Sequence, residues 1–456
     1  GEKKGKKPAT VTLDQEKSLI HLEWTKPGKR DVQIEAEDSN GKVITLQFQV
    51  ELWEPDYWKL AMTVIGGLGI FLIGMKNLSE GIQATAGNRL RRMIGAVTDN
   101  RFMATGVGTL VTMLVQSSSI TTVITVGFVS AGLITLAQSL RLLLGSTIGT
   151  TITGWILVLK IVKYGLPILG ASAFVYLFSR NEGRRYIALA CMGLGMVFFG
   201  LELMKNAFSV FKALPEFKEW FLKFDASTYP GVLKCAMVGC VLTFLVQSSS
   251  ATLGITIGLA AEGVIQYRTA AALVLGENIG TTITAYLASL GAPTEARRAA
   301  YFHVLFNILG VVWITAIFGW YTSVISTIIS GQGDALQVTP DQATAAIAAT
   351  HTGFNVANTL LFLPLTGFFA RLLTRLVPEK DQQKESEHAR LDMRMLESPV
   401  IGIEQSRLEV LRMAEVCKTM MEDLREILVA DGTDKKQIQS ILDREKSLDE
   451  VEHEVS

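Results

Sequence analysis

GTLVTMLVQSSSITTVITVGFVSAGLITLAQSLRLLLGSTIGTTIT at residues 108–153 returns as GCVLTFLVQSSSATLGITIGLAAEGVIQYRTAAALVLGENIGTTIT at residues 239–284. Shifted by 131 residues and without a gap, the two stretches share 23 identities in 46 positions. Gln116-Ser117-Ser118-Ser119 falls on Gln247-Ser248-Ser249-Ser250, and Ile148-Gly149-Thr150-Thr151-Ile152-Thr153 on Ile279-Gly280-Thr281-Thr282-Ile283-Thr284. A shift of 126 further aligns Gly67-Leu68-Gly69 and Gly74 with Gly193-Leu194-Gly195 and Gly200. The chain therefore contains a duplicated unit. The apolar segments 102–132 and 231–262 are each interrupted at mid-length by Gln-Ser-Ser-Ser. A membrane span needs about 20 apolar residues, so each is too long for one helix and too short for two. Both read as re-entrant helical hairpins, which membranes tolerate only where protein or a water-filled cavity surrounds the break.

The rest of the composition fits that reading. The 456 residues carry 43 basic and 43 acidic side chains, and a nucleic-acid binder would show a basic excess. Apolar residues make up 49% and charged residues 19%, against about 25% charge in soluble domains, and the mean hydropathy is +0.32. Residues 102–179 hold no acid and three basic residues, Arg141, Lys160 and Lys163, whereas residues 384–456 hold 18 acidic and 11 basic residues. Four cysteines in this length exclude a disulfide framework, and scattered His and Cys argue against structural zinc. No P-loop, HExxH or nucleophile-elbow pattern supports an enzyme. The expected class is an all-α polytopic membrane protein with a small N-terminal β module and cytoplasmic C-terminal helices.

Four regions follow: an Ig-like, partial extracytoplasmic β module at 1–55, transmembrane repeats at 56–186 and 187–378, and a helical region at 379–456. In the first, Ile20-Leu22-Trp24, Val32-Ile34-Ala36 and Ile44-Leu46-Phe48-Val50-Leu52 alternate with polar neighbours, and Asp38-Ser39-Asn40-Gly41 is a hairpin turn signal. Gly1 is not preceded by Met or a signal peptide, so trimming or cleavage upstream is expected. Candidate spans are 57–78, 135–158, 164–180, 187–206, 267–290, 300–329 and 343–370. Basic clusters at Arg89/Arg91/Arg92/Arg101, Arg180/Arg184/Arg185, Arg297/Arg298 and Arg371/Arg375/Lys380, placed in the cytoplasm, put the N-terminus outside and the C-terminus inside. Lys160, Lys163, Lys212, Lys218 and Lys223 then fall on the outer side. The two copies open with helices of opposite direction and are inverted repeats, the pattern of secondary transporters; channels and scaffolds also duplicate.

Gln-Ser-Ser-Ser within an apolar segment is costly unless its groups have partners. Helix-to-helix bridging is one use. A ligand site is the other, since helix N-termini and serine hydroxyls converging from two copies suit an oxyanion. No Arg or Lys lies in the breaks, so co-bound cations must offset the charge. Thr147, Thr150, Thr151, Asn278, Thr281 and Thr282 offer oxygen ligands to such cations, through side chains and unwound carbonyls, or the Gly-Thr-Thr stretches only pack helices closely. Glu277, whose counterpart is Ser146, reads as an ion-coupling acid or as a solvated helix-end residue. His303 and His351, both in His-x-x-Phe-Asn, read as caps or braces of scaffold helices, a direct ligand role being the alternative.

The paired QSSS motifs, GSTIGTTIT (145–153), GENIGTTIT (276–284), RRAAYFHVLFN (297–307) and HTGFN (351–355) together resemble the type II sodium/phosphate cotransporter family over roughly 60–378. That resemblance implies Na+-driven uptake of inorganic phosphate across a bacterial inner membrane, no cofactor beyond co-transported Na+, and an inverted-repeat core moving against a scaffold. It implies that Gln116, Ser117, Ser118, Gln247, Ser248 and Ser249 contact phosphate. Ser119, Ser250 and the Thr147/Thr150/Thr151 and Asn278/Thr281/Thr282 positions would serve Na+. The family carries Asn where Thr147 stands, which bears on the number of Na+ sites. Residues from about 391 resemble a PhoU-like helical domain, a phosphate sensor being the corresponding alternative function. There Val410, Ala414, Cys417, Met421, Leu424 and Leu428 form a coiled-coil-spaced stripe, Ala430-Asp431-Gly432-Thr433 breaks the helix, and a second helix begins near Lys435. A truncated bundle and a homodimer through this stripe are both compatible.

Overall fold

The computed structural model describes residues 10–14, 19–23, 28–37, 43–52, 56–95, 100–130, 134–159, 162–212, 224–289, 294–331, 333–378, 399–429 and 435–455. Trp24, the expected turn at 38–41, Lys160, Lys218, Lys223, Lys380 and the helix break at 430–433 lie outside these residues. The chain divides into two units, Gly1–Met62 and Thr63–Ser456. In the first, β1 (Thr10–Asp14) pairs antiparallel with β2 (Leu19–Glu23), and β3 (Gly28–Glu37) with β4 (Val43–Leu52). The β3–β4 register sets Val32 opposite Phe48, Ile34 opposite Leu46 and Ala36 opposite Ile44.

The helices are α1 (Tyr57–Gly95), α2 (Arg101–Val115), α3 (Ser118–Ser130), α4 (Leu136–Thr150), α5 (Ile152–Val158), α6 (Gly165–Phe178), α7 (Glu182–Lys212) and α8 (Tyr229–Val246). They continue with α9 (Ser249–Ala261), α10 (Tyr267–Ala288), α11 (Thr294–Ala316), α12 (Phe318–Ser330), α13 (Pro340–Phe362), α14 (Thr366–Leu376), α15 (Pro399–Val429) and α16 (Lys435–Val455). Each QSSS stretch ends one helix and starts the next. Gln116 and Gln247, with φ of 56° and 55°, are the non-glycine residues with positive φ among those described. Their N–H groups donate to Thr112 O (2.7 Å) and Thr243 O (2.8 Å), closing α2 and α8. A left-handed non-glycine residue costs about 1–2 kcal/mol, and the same strained residue at matched positions marks a built turn. No proline is involved.

The pairing of helices repeats at the sequence offset. A Cβ on Gly145 of α4 would lie 1.9 Å from Thr105 O of α2, and one on Gly276 of α10 1.7 Å from Ala236 O of α8. Backbones this close leave no room for a side chain. Gly276→Ala is expected to lower the melting temperature of the purified protein by several degrees or to abolish folded yield, since overpacking typically costs about 1–3 kcal/mol. Gly106→Ala, whose Cβ would meet nothing within 4 Å, is the control; equal behaviour of the two variants would contradict the packing argument. Helices α1 and α7 run antiparallel through reciprocal contacts. The Gly67 position faces Gly200 O at 2.9 Å, and the Gly74 position faces Gly193 O at 2.8 Å. Because Gly193 and Gly200 are the 126-shifted counterparts of Gly67 and Gly74, the same patch of both helices meets itself, as at a two-fold axis.

A hydrophobic cluster around Phe71, Leu201, Met204, Leu253, Ile257 and Phe354 joins α1, α7, α9 and α13. A second, aromatic cluster joins α11 to α13 and α14. Phe306 meets Phe362 edge-on at 5.3 Å, and Phe362 stacks on Phe369 at 5.4 Å.

Several expectations are corrected. Among the described residues six helical stretches are long and apolar enough to cross a membrane: 57–86, 136–158, 182–210, 229–246, 294–316 and 340–376. The expected span 164–180 is the 14-residue α6, about 21 Å long against a hydrocarbon core of about 30 Å. The expected span 267–290 is α10, whose Arg, Glu, Asn and Thr residues keep it out of that set, while hairpin arm 229–246 falls within it. The expected span 300–329 divides at Ile317 into α11 and α12. The GTT helix is broken at Thr151 in the first copy only. In the second, α10 is continuous, although Asn278, Thr281 and Thr282 bond to carbonyls of their own helix as Thr147, Thr150 and Thr151 do in the first. On α15 the stripe Val410, Met421, Leu424 and Leu428 is exposed. Met413, Val416, Met420 and Ile427 are half-buried instead, and Arg444 Nη1 of α16 lies 2.7 Å from Asp423 Oδ2.

Candidate functional site

Where the hairpin tips meet α4, α10, α11 and α13 lies a cavity of about 10 Å³ lined by Ser118, Thr147, Thr150, Ser249, Asn278, Thr281, His303, Asn307 and His351, room for about one water molecule. Six of these nine are three pairs at the 131 offset: Ser118 with Ser249, Thr147 with Asn278, and Thr150 with Thr281. Ser118 and Ser249 are the first residues of α3 and α9, so the positive ends of two helix dipoles and their unpaired first-turn N–H groups accompany them.

Hydrogen bonding divides the wall by polarity. The hydroxyls of Thr147, Thr150 and Thr281 donate to Leu144 O (2.8 Å), Ser146 O (3.0 Å) and Glu277 O (2.9 Å). Their protons are committed to the helices, and what they turn outward is lone pairs. Asn278 donates its Nδ2 to Val274 O (2.9 Å) and accepts from Asn355 Nδ2 (3.2 Å). The hydroxyls of Ser118 and Ser249, by contrast, hold no helix together and are available as donors. The break side of the cavity therefore offers protons, and the Gly-Thr-Thr side offers oxygen lone pairs.

The remaining sequence candidates lie around this cavity rather than in its wall. Ser117 Oγ and Ser248 Oγ accept from Ile120 N (3.3 Å) and Ala251 N (3.3 Å), capping α3 and α9. Gln116 Nε2 donates to Met113 O (2.5 Å), and its Oε1 accepts from Thr153 (3.3 Å); Gln247 is exposed. Ser119 Oγ lies 2.7 Å from Thr284 Oγ1, a contact from the first copy to the second. Its counterpart Ser250 is half-buried. Thr151 and Thr282 donate to Ile148 O (2.8 Å) and Ile279 O (2.7 Å). Glu277 is fully buried, and neither carboxylate oxygen has a partner. That excludes the solvated helix-end reading, and an ionised carboxylate there requires a positive companion.

His303 and His351 line the cavity, and their recurring His-x-x-Phe-Asn pattern is the signal available in the sequence. Among the described residues no group of three or more His, Cys, Asp or Glu is placed to hold a metal ion. Oxygen atoms of Thr and Asn are what a hard cation would find here.

The Na+/Pi-cotransporter family matches residues 70–206 and 216–333, more than half the chain. Uncharacterized protein YqeW of Bacillus subtilis is 32% identical over 310 residues, covering 68% of this chain and 96% of that protein. YjbB of Escherichia coli K12, whose name proposes inorganic phosphate export, is 25% identical over 384 residues, covering 83% of this chain and 67% of that protein. Sodium-dependent phosphate transport protein 2C of Mus musculus is 44% identical over 80 residues, 17% of this chain and 13% of that protein. No solved structure shows a significant match. The chain is a multi-pass membrane protein and belongs to the Na+/Pi-cotransporter family, whose members are transporters rather than enzymes.

Proposed function

We propose that this chain is a sodium-coupled phosphate symporter. It binds the anion between the two hairpin tips and works by alternating access of an inverted-repeat core. The observation that carries this reading is the division of one cavity into paired serine donors and paired threonine and asparagine lone pairs. The serine hydroxyls and helix N-termini suit phosphate, and the facing oxygens suit Na+. Neither set contains a fixed charge, so each ion supplies what the other needs. The antiparallel α1–α7 contact supports inversion of the two copies. Phosphate is larger than the cavity, so its entry requires α3 and α9 to part from α10, α11 and α13, the motion that alternating access demands. On this reading the N-terminal module lies outside the membrane, the C-terminal helices lie in the cytoplasm, and the tail retains its PhoU-like character.

Uptake of labelled phosphate into proteoliposomes, with and without an inward Na+ gradient, tests the coupling; uptake indifferent to Na+ would refute it. Ser118→Ala and Ser249→Ala are each expected to weaken phosphate affinity roughly tenfold to a hundredfold, one hydrogen bond to a charged ion contributing about 1.5–3 kcal/mol. Ser139→Ala is expected to leave affinity unchanged, because that hydroxyl donates to Leu136 O and does not line the cavity. Two further readings have specific support. The name of YjbB favours export, which phosphate-loaded vesicles would reveal as efflux. The partnerless Glu277 favours a proton as coupling ion, which a pH gradient without Na+ would reveal.

A further inference from the structure

The two His-x-x-Phe-Asn motifs form a wall of the cavity that the symport reading leaves unused. His303 and Asn307 lie one helical turn apart on α11 and both line the cavity. His351 lines it from α13, with Asn355 one turn on. All four are at most 2% exposed. In both motifs the histidine Nδ1 and the asparagine Oδ1 are buried without a hydrogen-bond partner. The amide orientations are not free. Asn307 Nδ2 donates to His303 O at 2.9 Å, and Asn355 Nδ2 to His351 O at 2.9 Å and to Asn278 Oδ1 at 3.2 Å. Turning either amide over would set its carbonyl oxygen against another, so Oδ1 is the atom left for a ligand.

An orphaned buried carbonyl is costly. A neutral imidazole carries its proton on one nitrogen only, and with that proton on Nδ1 the imidazole and the carbonyl together fit a ligand that both donates and accepts. A cation would then use the carbonyl and leave the N–H idle. A protonated tetrahedral oxyanion uses both, its X–OH donating to Asn Oδ1 while an adjacent X–O⁻ accepts from His Nδ1–H. We propose that Asn307, with His303 one turn before it on α11, reads the proton on the bound oxyanion, so that the cavity accepts hydrogen phosphate and hydrogen arsenate and rejects sulfate. A site built around a ligand hydroxyl rejects analogues that lack it far more strongly than a site built on shape.

This inference rests on the phosphate-binding reading and is tested separately from it. Unlabelled arsenate, sulfate and monofluorophosphate are to compete with labelled phosphate for the unmodified protein in proteoliposomes at saturating Na+. Monofluorophosphate matches hydrogen phosphate in charge and shape but carries no proton at neutral pH. Arsenate is expected to compete within a few-fold of phosphate, and sulfate and monofluorophosphate at least about a hundredfold more weakly. Asn307→Leu is expected to narrow the phosphate-to-sulfate ratio by about tenfold or more at saturating Na+, with the Na+ half-saturation measured at saturating phosphate unchanged. Monofluorophosphate competing as well as arsenate would overturn the proposal. So would an Asn307→Leu protein with unaltered selectivity and a shifted Na+ half-saturation, which would make Asn307 a cation ligand. Absence of any phosphate transport by the unmodified protein would instead remove the symport reading, and this inference with it. The competition series needs no variant, so misfolding of Asn307→Leu leaves the test intact.

Discussion

Protein carrying Ser118→Ala and Ser249→Ala together is expected to lose saturable phosphate binding while remaining folded. Each serine opens a helix at a hairpin tip and faces the cavity, and each offers a hydroxyl that no carbonyl has claimed. Two hydrogen bonds to a charged ion are worth roughly 3–6 kcal/mol together, which is about 10²–10⁴ in affinity. Neither hydroxyl supports the fold. The caps of α3 and α9 are Ser117 and Ser248, and the helix breaks are set by the left-handed Gln116 and Gln247. A normal elution profile with loss of the calorimetric phosphate signal at saturating Na+ is the expected result. A double variant within about threefold of the parent, under 1 kcal/mol, would mean that the anion sits elsewhere. The inverted pairing makes this variant more informative than either single change, because one copy's hairpin could hold the anion alone if the two tips did not converge on it.

Much of this site was legible before any coordinates. Polar residues in the middle of an apolar run must be satisfied by something, and finding the same four at matched places in two copies left few alternatives to a shared ligand site. The six cavity residues that belong to the repeats were all among the residues singled out from sequence. What could not be read was which atoms of them are free. Ser117 and Ser118 are chemically identical in the sequence; only the backbone turn decides that Ser117 caps a helix and Ser118 faces the cavity. Similarly, a threonine in a transmembrane helix looks like an oxygen ligand whether or not its proton is committed to the preceding turn. The histidine wall is not legible in the sequence, because one intramembrane histidine pairs as simply with a scaffold neighbour as with a ligand. The break at Ile317 carries no proline, and α15 bears two adjacent apolar stripes, of which sequence spacing alone does not say which is covered.

Replacing Thr150 and Thr281 by valine is expected to raise the Na+ half-saturation of phosphate transport by about tenfold or more, the loss of roughly 1.4 kcal/mol of cation binding. The two residues are repeat counterparts that line the cavity and face it with lone pairs, their protons donated to Ser146 O and Glu277 O. Valine keeps the shape and removes the oxygen. The helices lose little, because a hydroxyl bonded to the carbonyl one turn back contributes weakly and often bends its helix. Binding of the two ions is coupled, so phosphate affinity is expected to fall at limiting Na+ and to recover at saturating Na+, as reciprocity between the sites requires. The serine double variant is expected to behave differently, losing phosphate at every Na+ concentration. If the threonine double variant also failed to recover, these oxygens would be contacting the anion. The separation of donors from lone pairs across the cavity, and with it the assignment of sodium to the Gly-Thr-Thr side, would then be wrong.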